Sequence, residues 1–321
     1  MIPAMFSREN MKKTGFFLSA AALKFLAFCL ASLSWGSSRR LGASIGRLCT
    51  FIIRKRFRLT QDNILKALPG TSPEQARDIA ARSWENMGIV AAEVAQTSRM
   101  TKDEILSRCR WANEDRLKTH LATGKGALMH VGHIANWELV GLSFHAAGYD
   151  SAEVVRHIRN PYVDEFILSI RGRFGGDIIG HRAPFFGCAK ALKKGRVVGI
   201  LMDQNMPAGE VYTPFLGRMA STTPLTALLS LKTGCPIFPV HVKRDGENLN
   251  IVIEPPIQPA SAYSEEEVYR LIDRLNERLE SWIKEDPAQW LWAHNRWKRE
   301  KDALAYMERH AKEAVAESHI P

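Results

Sequence analysis

From residue 125 onward the chain alternates in a way that leaves few folds open to it. Short apolar segments at 125–131, 151–156, 176–180, 196–202, 236–243 and 249–254 read as strands. Stretches at 137–147, 161–174, 184–194 and 223–233, between most of them, read as helices. That order predicts a mostly parallel α/β sheet covered on both faces. Upstream, 41–57 and 60–68 read as helices that Pro69-Gly70 terminates. Ser72-Pro73-Glu74 then opens a longer helix to about residue 97, with proline at its first helical position. Downstream, 264–284 reads as a polar, charged helix and 298–317 as a further one. No internal repeat or low-complexity linker interrupts the 321 residues, so they divide only into an N-terminal segment, 1–36, and one large domain, 37–321.

The first strong strand, 125–131, runs into Gly132-His133-Ile134-Ala135-Asn136-Trp137-Glu138. Asn136 suits the N-cap of the following helix, which puts His133 in the loop and Glu138 in the helix's first turn. Within one helix, residues five apart diverge by roughly 140°. Across a loop–helix junction their side chains can converge. A carboxylate beside an imidazole fixes the tautomer and stabilises the imidazolium, as a general base taking a hydroxyl proton requires. A structural histidine and a glutamate complementing the helix dipole would look the same in this segment alone.

Other blocks accompany it in order. They are Arg156-His157-Ile158-Arg159-Asn160-Pro161, Asp203-Gln204 after strand 196–202, Thr213-Pro214-Phe215-Leu216-Gly217, and Gly234-Cys235-Pro236-Ile237-Phe238-Pro239. A Trp-rich ending, Asp286-Pro287-Ala288-Gln289-Trp290-Leu291-Trp292 with His294, Arg296, Trp297 and Lys298, closes the set. With the N-terminal segment the set spans roughly residues 14–299. It resembles the bacterial lipid A biosynthesis (Kdo-lipid A late) acyltransferases of the lysophospholipid acyltransferase superfamily, whose His-x4-Asp/Glu motif is matched by His133 and Glu138.

The resemblance implies a glycerolphosphate acyltransferase-like sheet of about seven strands wrapped by helices. Its active site would lie at the carboxyl ends of central strands, where open α/β sheets bind ligands. The implied reaction moves a fatty acyl chain from a thioester to a sugar or acyl-chain hydroxyl, with His133 as base and Glu138 orienting it. Arg156 falls at the family's arginine, with Arg159 as the alternative, and a guanidinium there would hold a phosphate of acceptor or carrier. Asp203 and Gln204 would form the site wall, Asp203 pairing with Arg156; an aspartate there would equally cap a turn. No covalent acyl-enzyme is expected, because the cysteines lack motif context and no Gly-x-Ser-x-Gly elbow is present. The acyl thioester, on acyl carrier protein or CoA, is a co-substrate, and no cofactor is implied. A metal reading of His130, His133 and Glu138 fails the His-Glu-x-x-His pattern and has no clear third ligand. Trp290, Trp292 and Trp297 are assigned to packing, and His130, His157, His181 and His241 are not assigned to chemistry.

A net charge of +10 calls for an anionic partner. Zinc-finger spacing, RNA-binding aromatics and helix-turn-helix signals are missing, which ranks nucleic acid low. Five scattered cysteines suit a reducing compartment. Residues 14–35 are 22 in number, 16 of them apolar; that length crosses a hydrocarbon core of roughly 30 Å. Lys24 near its middle would cost about 2.5–3.5 kcal/mol, so an interfacial helix stands beside the spanning anchor, and Met11-Lys12-Lys13, resembling a charged n-region, makes a cleaved signal peptide the third reading. Arg39, Arg40, Arg47, Arg54, Lys55, Arg56 and Arg58 follow, which under the positive-inside rule keeps the domain cytoplasmic. The basic helices of about 39–68, with Leu48, Phe51, Ile52 and Phe57, suit anionic lipid at about 1 kcal/mol per basic residue, or an acidic carrier protein. The expectation is a membrane-anchored acyltransferase on the cytoplasmic face of the bacterial inner membrane, acting on a lipid A-type glycolipid precursor. Acylation of a lysophospholipid or another glycolipid is the alternative. A non-catalytic membrane-surface binding protein is the alternative of a different class.

Overall fold

The computed structural model describes residues 8–207 and 211–317. Five helices lead: α1 (Arg8–Ala31), α2 (Trp35–Ile52), α3 (Arg54–Ala67), α4 (Pro73–Thr97) and α5 (Lys102–Ser107). Then follow β1 (Cys109–Ala112), α6 (Glu114–Leu121), β2 (Ala127–Val131), α7 (Trp137–Ala146), β3 (Ser151–Val155), α8 (Pro161–Arg171), β4 (Asp177–Gly180), α9 (Pro184–Lys193) and β5 (Val197–Leu201). A hairpin of β6 (Val211–Phe215) and β7 (Arg218–Thr222) leads to α10 (Leu225–Thr233), β8 (Ile237–Asp245), β9 (Asn248–Ile253), α11 (Glu265–Glu285) and α12 (Glu300–Glu317).

Seven strands form one sheet in the order β1-β9-β8-β2-β5-β3-β4, with only the β8–β9 pair antiparallel. The mostly parallel sheet and its seven strands are as expected. Central β2 is buried at all five positions, the continuous apolar run of a strand covered on both faces. Side chains alternate across it. Met129 and Val131 face a cavity under α7, and His130 turns to the other face, where its Nε2 meets the Leu275 carbonyl of α11 at 3.1 Å.

Three elements differ from the sequence reading. The edge strand β1 has only four residues, two of them exposed, and carries no strand-like run. The β6–β7 hairpin turns through Leu216 and Gly217, both at positive φ, without the Asn-Gly or Asp-Gly signal such turns usually show. The basic segment breaks at Ile53 rather than after residue 57. The break lets Phe57 meet Trp84 of α4 edge-on, with centroids 6.3 Å apart, while Trp84 Nε1 donates to Thr60 Oγ1 at 3.0 Å.

Helix α4 is the spine of the N-terminal half. Ser72 and Gln75 form a capping box ahead of Pro73. Gly42 and Gly46 of α2 meet Gly88 and the backbone around Trp84 so closely that a Cβ at any of the three glycines would strike main-chain atoms. Helix α1 holds one apolar stretch long enough to cross a membrane, Asn10–Ala31, of mean hydropathy 1.8 and only 11% buried. It nevertheless lies along the rest of the molecule. Asn160 Nδ2 donates to the Phe16 carbonyl at 2.8 Å, Lys24 sits over the Phe166 ring at 5.9 Å, and Gln96 Nε2 donates to the carbonyls of Leu30 and Leu33, each at 2.8 Å. The Phe166 face gives the mid-helix lysine a cation–π partner.

Candidate active site

Strands β2, β5 and β3 are neighbours and parallel, so the residues after Val131, Leu201 and Val155 emerge at one edge of the sheet. His133, Asp203 and Arg156 are among them. A cavity of about 550 Å³ opens there and runs beneath α7. His133, Glu138, Arg156 and Gln204 all line it, with Arg171 and the apolar Met129, Val131 and Leu201.

The imidazole of His133 is held by Asp203. Its Nδ1 lies 2.6 Å from Asp203 Oδ1, and its own backbone N–H donates to Asp203 Oδ2 at 2.8 Å. Trp290 Nε1 donates to the same Oδ2, also at 2.8 Å. The Asp203 side chain is 1% exposed. Burial alone would raise its pKa. The interaction with the His133 imidazole, with the hydrogen bonds from His133 and Trp290, outweighs that and holds the carboxyl well below the usual carboxylate range. An ionised carboxylate only accepts, so Nδ1 carries the proton and Nε2 presents its lone pair to the cavity. There it meets Gln204 Nε2 at 3.1 Å, an amide standing where a hydroxyl donor would stand.

Glu138 is oriented elsewhere. It receives a two-pronged contact from Arg171 at the end of α8, Nε to Oε2 at 2.8 Å and Nη2 to Oε1 at 2.5 Å, and Trp137 Nε1 approaches Oε1 at 3.2 Å. Thus His133 takes its orienting carboxylate from Asp203 where Glu138 was expected, and Asp203 pairs with His133 where Arg156 was expected. Arg156 stands exposed at the cavity mouth, with no hydrogen bond or ion pair among the described residues. Arg159, the alternative, is exposed and does not line the cavity.

The Trp-rich ending does more than pack. Trp290, Trp292 and Trp297 are buried as expected, and the segment also docks on the histidine loop. The Leu291 N–H donates to the His133 carbonyl at 3.1 Å, and the Ala135 N–H to the Gln289 carbonyl at 2.9 Å. Fully buried Arg296 donates to the Gln204 carbonyl at 3.0 Å and to Thr222 Oγ1 at 2.6 Å. His294 Nε2 accepts the Asn205 N–H at 2.8 Å, which needs that nitrogen unprotonated; burial pushes its pKa down to about 4, in keeping with the bond. Arg171, Trp290, His294 and Arg296 were not assigned to the site from sequence. For the last three the signal was their place in the closing block. Arg171 had none.

A family model, that of the bacterial lipid A biosynthesis acyltransferases, matches residues 6–299. The chain belongs to that family. Among its relatives is a lipid A biosynthesis lauroyltransferase of Escherichia coli K12, 24% identical over 83% of this chain and 86% of the relative. A lipid A biosynthesis acyltransferase of Haemophilus influenzae is 23% identical over 87% and 86%. A phosphatidylinositol mannoside acyltransferase of Mycolicibacterium smegmatis is 22% identical over 57% and 60%.

Proposed function

We propose that this acyltransferase moves a fatty acyl chain from a thioester to a hydroxyl of a lipid A-type glycolipid, with His133 as general base. The observation that carries the reading is the His133–Asp203 pair, its free nitrogen facing the cavity, in a chain of this family. The acceptor hydroxyl takes the position of the Gln204 amide at Nε2. His133 removes the proton as the oxygen attacks the thioester carbonyl, and Asp203 stabilises the imidazolium that forms. The tetrahedral intermediate collapses with loss of the thiolate, which takes the proton back from His133. No acyl-enzyme is needed. Burial pushes the thiols of Cys109 and Cys188 up to about 12 and about 11, and neither lines the cavity.

The remaining residues serve binding. Glu138 is the partner that keeps Arg171 aimed into the cavity, and Arg156 is the cation left for a phosphate of acceptor or carrier. Acyl carrier protein is the proposed donor, with CoA as the alternative, and no cofactor is required. Exposed Leu48, Phe51 and Ile52 beside the arginines of α2 and α3 suit anionic lipid, and α1 suits the cytoplasmic face of the inner membrane. The test offers purified protein in detergent several acyl thioesters, on carrier protein and on CoA, with a Kdo-lipid A precursor, a phosphatidylinositol mannoside and a lysophospholipid. Preferential transfer to the lipid A precursor supports the reading. Preferential transfer to the mannoside or the lysophospholipid replaces the acceptor and keeps the base.

A further inference from the structure

The Glu93 carboxylate of α4 is fully buried, and no step of acyl transfer uses it. Three elements converge on its two oxygens. Arg39 of α2 donates from Nε to Oε1 at 2.8 Å. Arg244 of β8 donates from Nη1 to Oε1 at 2.5 Å and from Nη2 to Oε2 at 2.9 Å. Asn136 Nδ2, from the loop between His133 and Glu138, donates to Oε2 at 2.8 Å. Asn136 is the N-cap of α7, and its Oδ1 accepts the Leu139 N–H at 2.9 Å. The carboxylate therefore fixes the amide that starts the helix bearing Glu138.

Two turns earlier on the same face of α4, Asn86 Nδ2 reaches the carbonyls of Ala135 and Gln289 at 3.3 and 3.2 Å. Between these two anchors Ala135 sits at φ +52°, a left-handed conformation rare for a residue with a Cβ. Such a conformation persists only where its surroundings over-determine it. The anchors on α4 do so here. A buried ion pair that only filled the core would not need a planar amide from the histidine loop as its third partner.

We propose that Glu93 is a positioning residue for acyl transfer, and that the chain Arg39–Glu93–Asn136 ties α2, the helix after the membrane-seeking α1, to the loop that carries His133. The proposal rests on the reading of His133 as the base. A displacement of α2, whose far end exposes Phe51 and Ile52, reaches Asn136 through this carboxylate beside the close packing of α2 on α4. Arg39 touches neither the loop nor the cavity, and its other partners are Gly246 and Glu247 of the β8–β9 turn, so faster exchange of the loop with β8 and β9 unchanged marks an effect that travels through Glu93.

The test compares wild type, Glu93→Gln and Arg39→Gln by steady-state transfer and by hydrogen exchange. Glu93→Gln keeps the volume but turns one acceptor into a donor. The expected result is a kcat lowered roughly ten- to a hundredfold with KM values within about twofold, the mark of misplacement rather than lost binding. Amides of 133–139 would exchange faster, while those of β8 and β9 keep their protection. Arg39→Gln is expected to move both readouts the same way by less, and it carries the test if Glu93→Gln does not fold. Wild-type kcat and loop exchange in the variants would overturn the proposal. So would faster exchange throughout the sheet in Glu93→Gln with a silent Arg39→Gln. If wild type transfers acyl groups to no acceptor, the functional reading fails by itself, and loop exchange then decides the link from Arg39 to Asn136.

Discussion

Asp203→Asn changes one atom, and the structure says what that atom must do. Three donors face the native carboxylate: the His133 backbone N–H and Trp290 Nε1 at Oδ2, and His133 Nδ1 at Oδ1. An asparagine has one oxygen. If it serves the two fixed donors, its NH2 faces Nδ1, and the imidazole must place its proton on Nε2, the atom required as base. If the amide flips, the NH2 faces two N–H groups in a buried site, which leaves donors unsatisfied at about 1–3 kcal/mol each. The first arrangement is therefore favoured, and it gives the wrong tautomer. The same error in a serine-protease triad costs about 10⁴ in kcat, or roughly 5.5 kcal/mol of barrier. The expected outcome is a loss of about 10³–10⁴ in kcat with a KM near wild type. The assay is transfer of a labelled acyl chain, with thermal unfolding of the variant alongside. A correctly folded Asp203→Asn within about tenfold of wild type would refute the reasoning, since the tautomer argument allows no such survival.

Glu138→Gln leaves Arg171 short of its carboxylate but leaves the His133–Asp203 pair intact. Loss of a charge-assisted contact predicts a fall of about 10–100-fold in kcat/KM, with the acidic limb of the pH–rate profile, the one a general base governs, unmoved; a displaced limb would show that Glu138 governs His133 directly. Arg156→Ala, at an exposed position with no partner among the described residues, is expected to raise KM about tenfold or more for a phosphorylated substrate and to leave the melting temperature unchanged. Equal KM values for phosphorylated and dephosphorylated acceptors and for both donor types in the variant and wild type would remove its assigned role. Burial pushes His130 and His294 down to about 4, below the roughly 6.5 of an unfolded chain, so the unfolded state binds more protons between those values. Their contribution is complete above pH 6.5 and is lost as pH falls toward 4. Asp203, held low, adds a loss in the same direction below about pH 4. The melting temperature should therefore drop between pH 7 and pH 5, and a flat profile there would contradict these burial effects.

What the sequence made legible was local. The strand–loop–helix junction at 127–146 could be read from a few consecutive residues, because apolar run, glycine, N-cap and helix all point the same way. The pairing of His133 with Asp203 could not. The two are 70 residues apart, and the contact exists because β2 lies beside β5 in the sheet order, which alternation of strands and helices does not specify. Glu138 looked like the natural partner at five residues' distance, but the second position of α7 faces α8, where Arg171 waits. Trp290 was read by composition as core, and it is buried; its single N–H is what makes it part of the site. Edge strand β1 escaped for a related reason, since a four-residue strand paired with distant β9 has little pattern of its own, and the β6–β7 hairpin escaped because its Leu216-Gly217 turn lacks the usual signal.

The central claim is that His133 is the base for acyl transfer to a lipid A-type acceptor. The most direct test is transfer to a labelled Kdo-lipid A precursor by wild type and His133→Ala, read as the mass gain of one acyl chain. The account predicts that wild type makes this product and that the variant, folded and bound to the same detergent micelles, loses about 10³-fold or more of the rate. Full transfer by His133→Ala would contradict it.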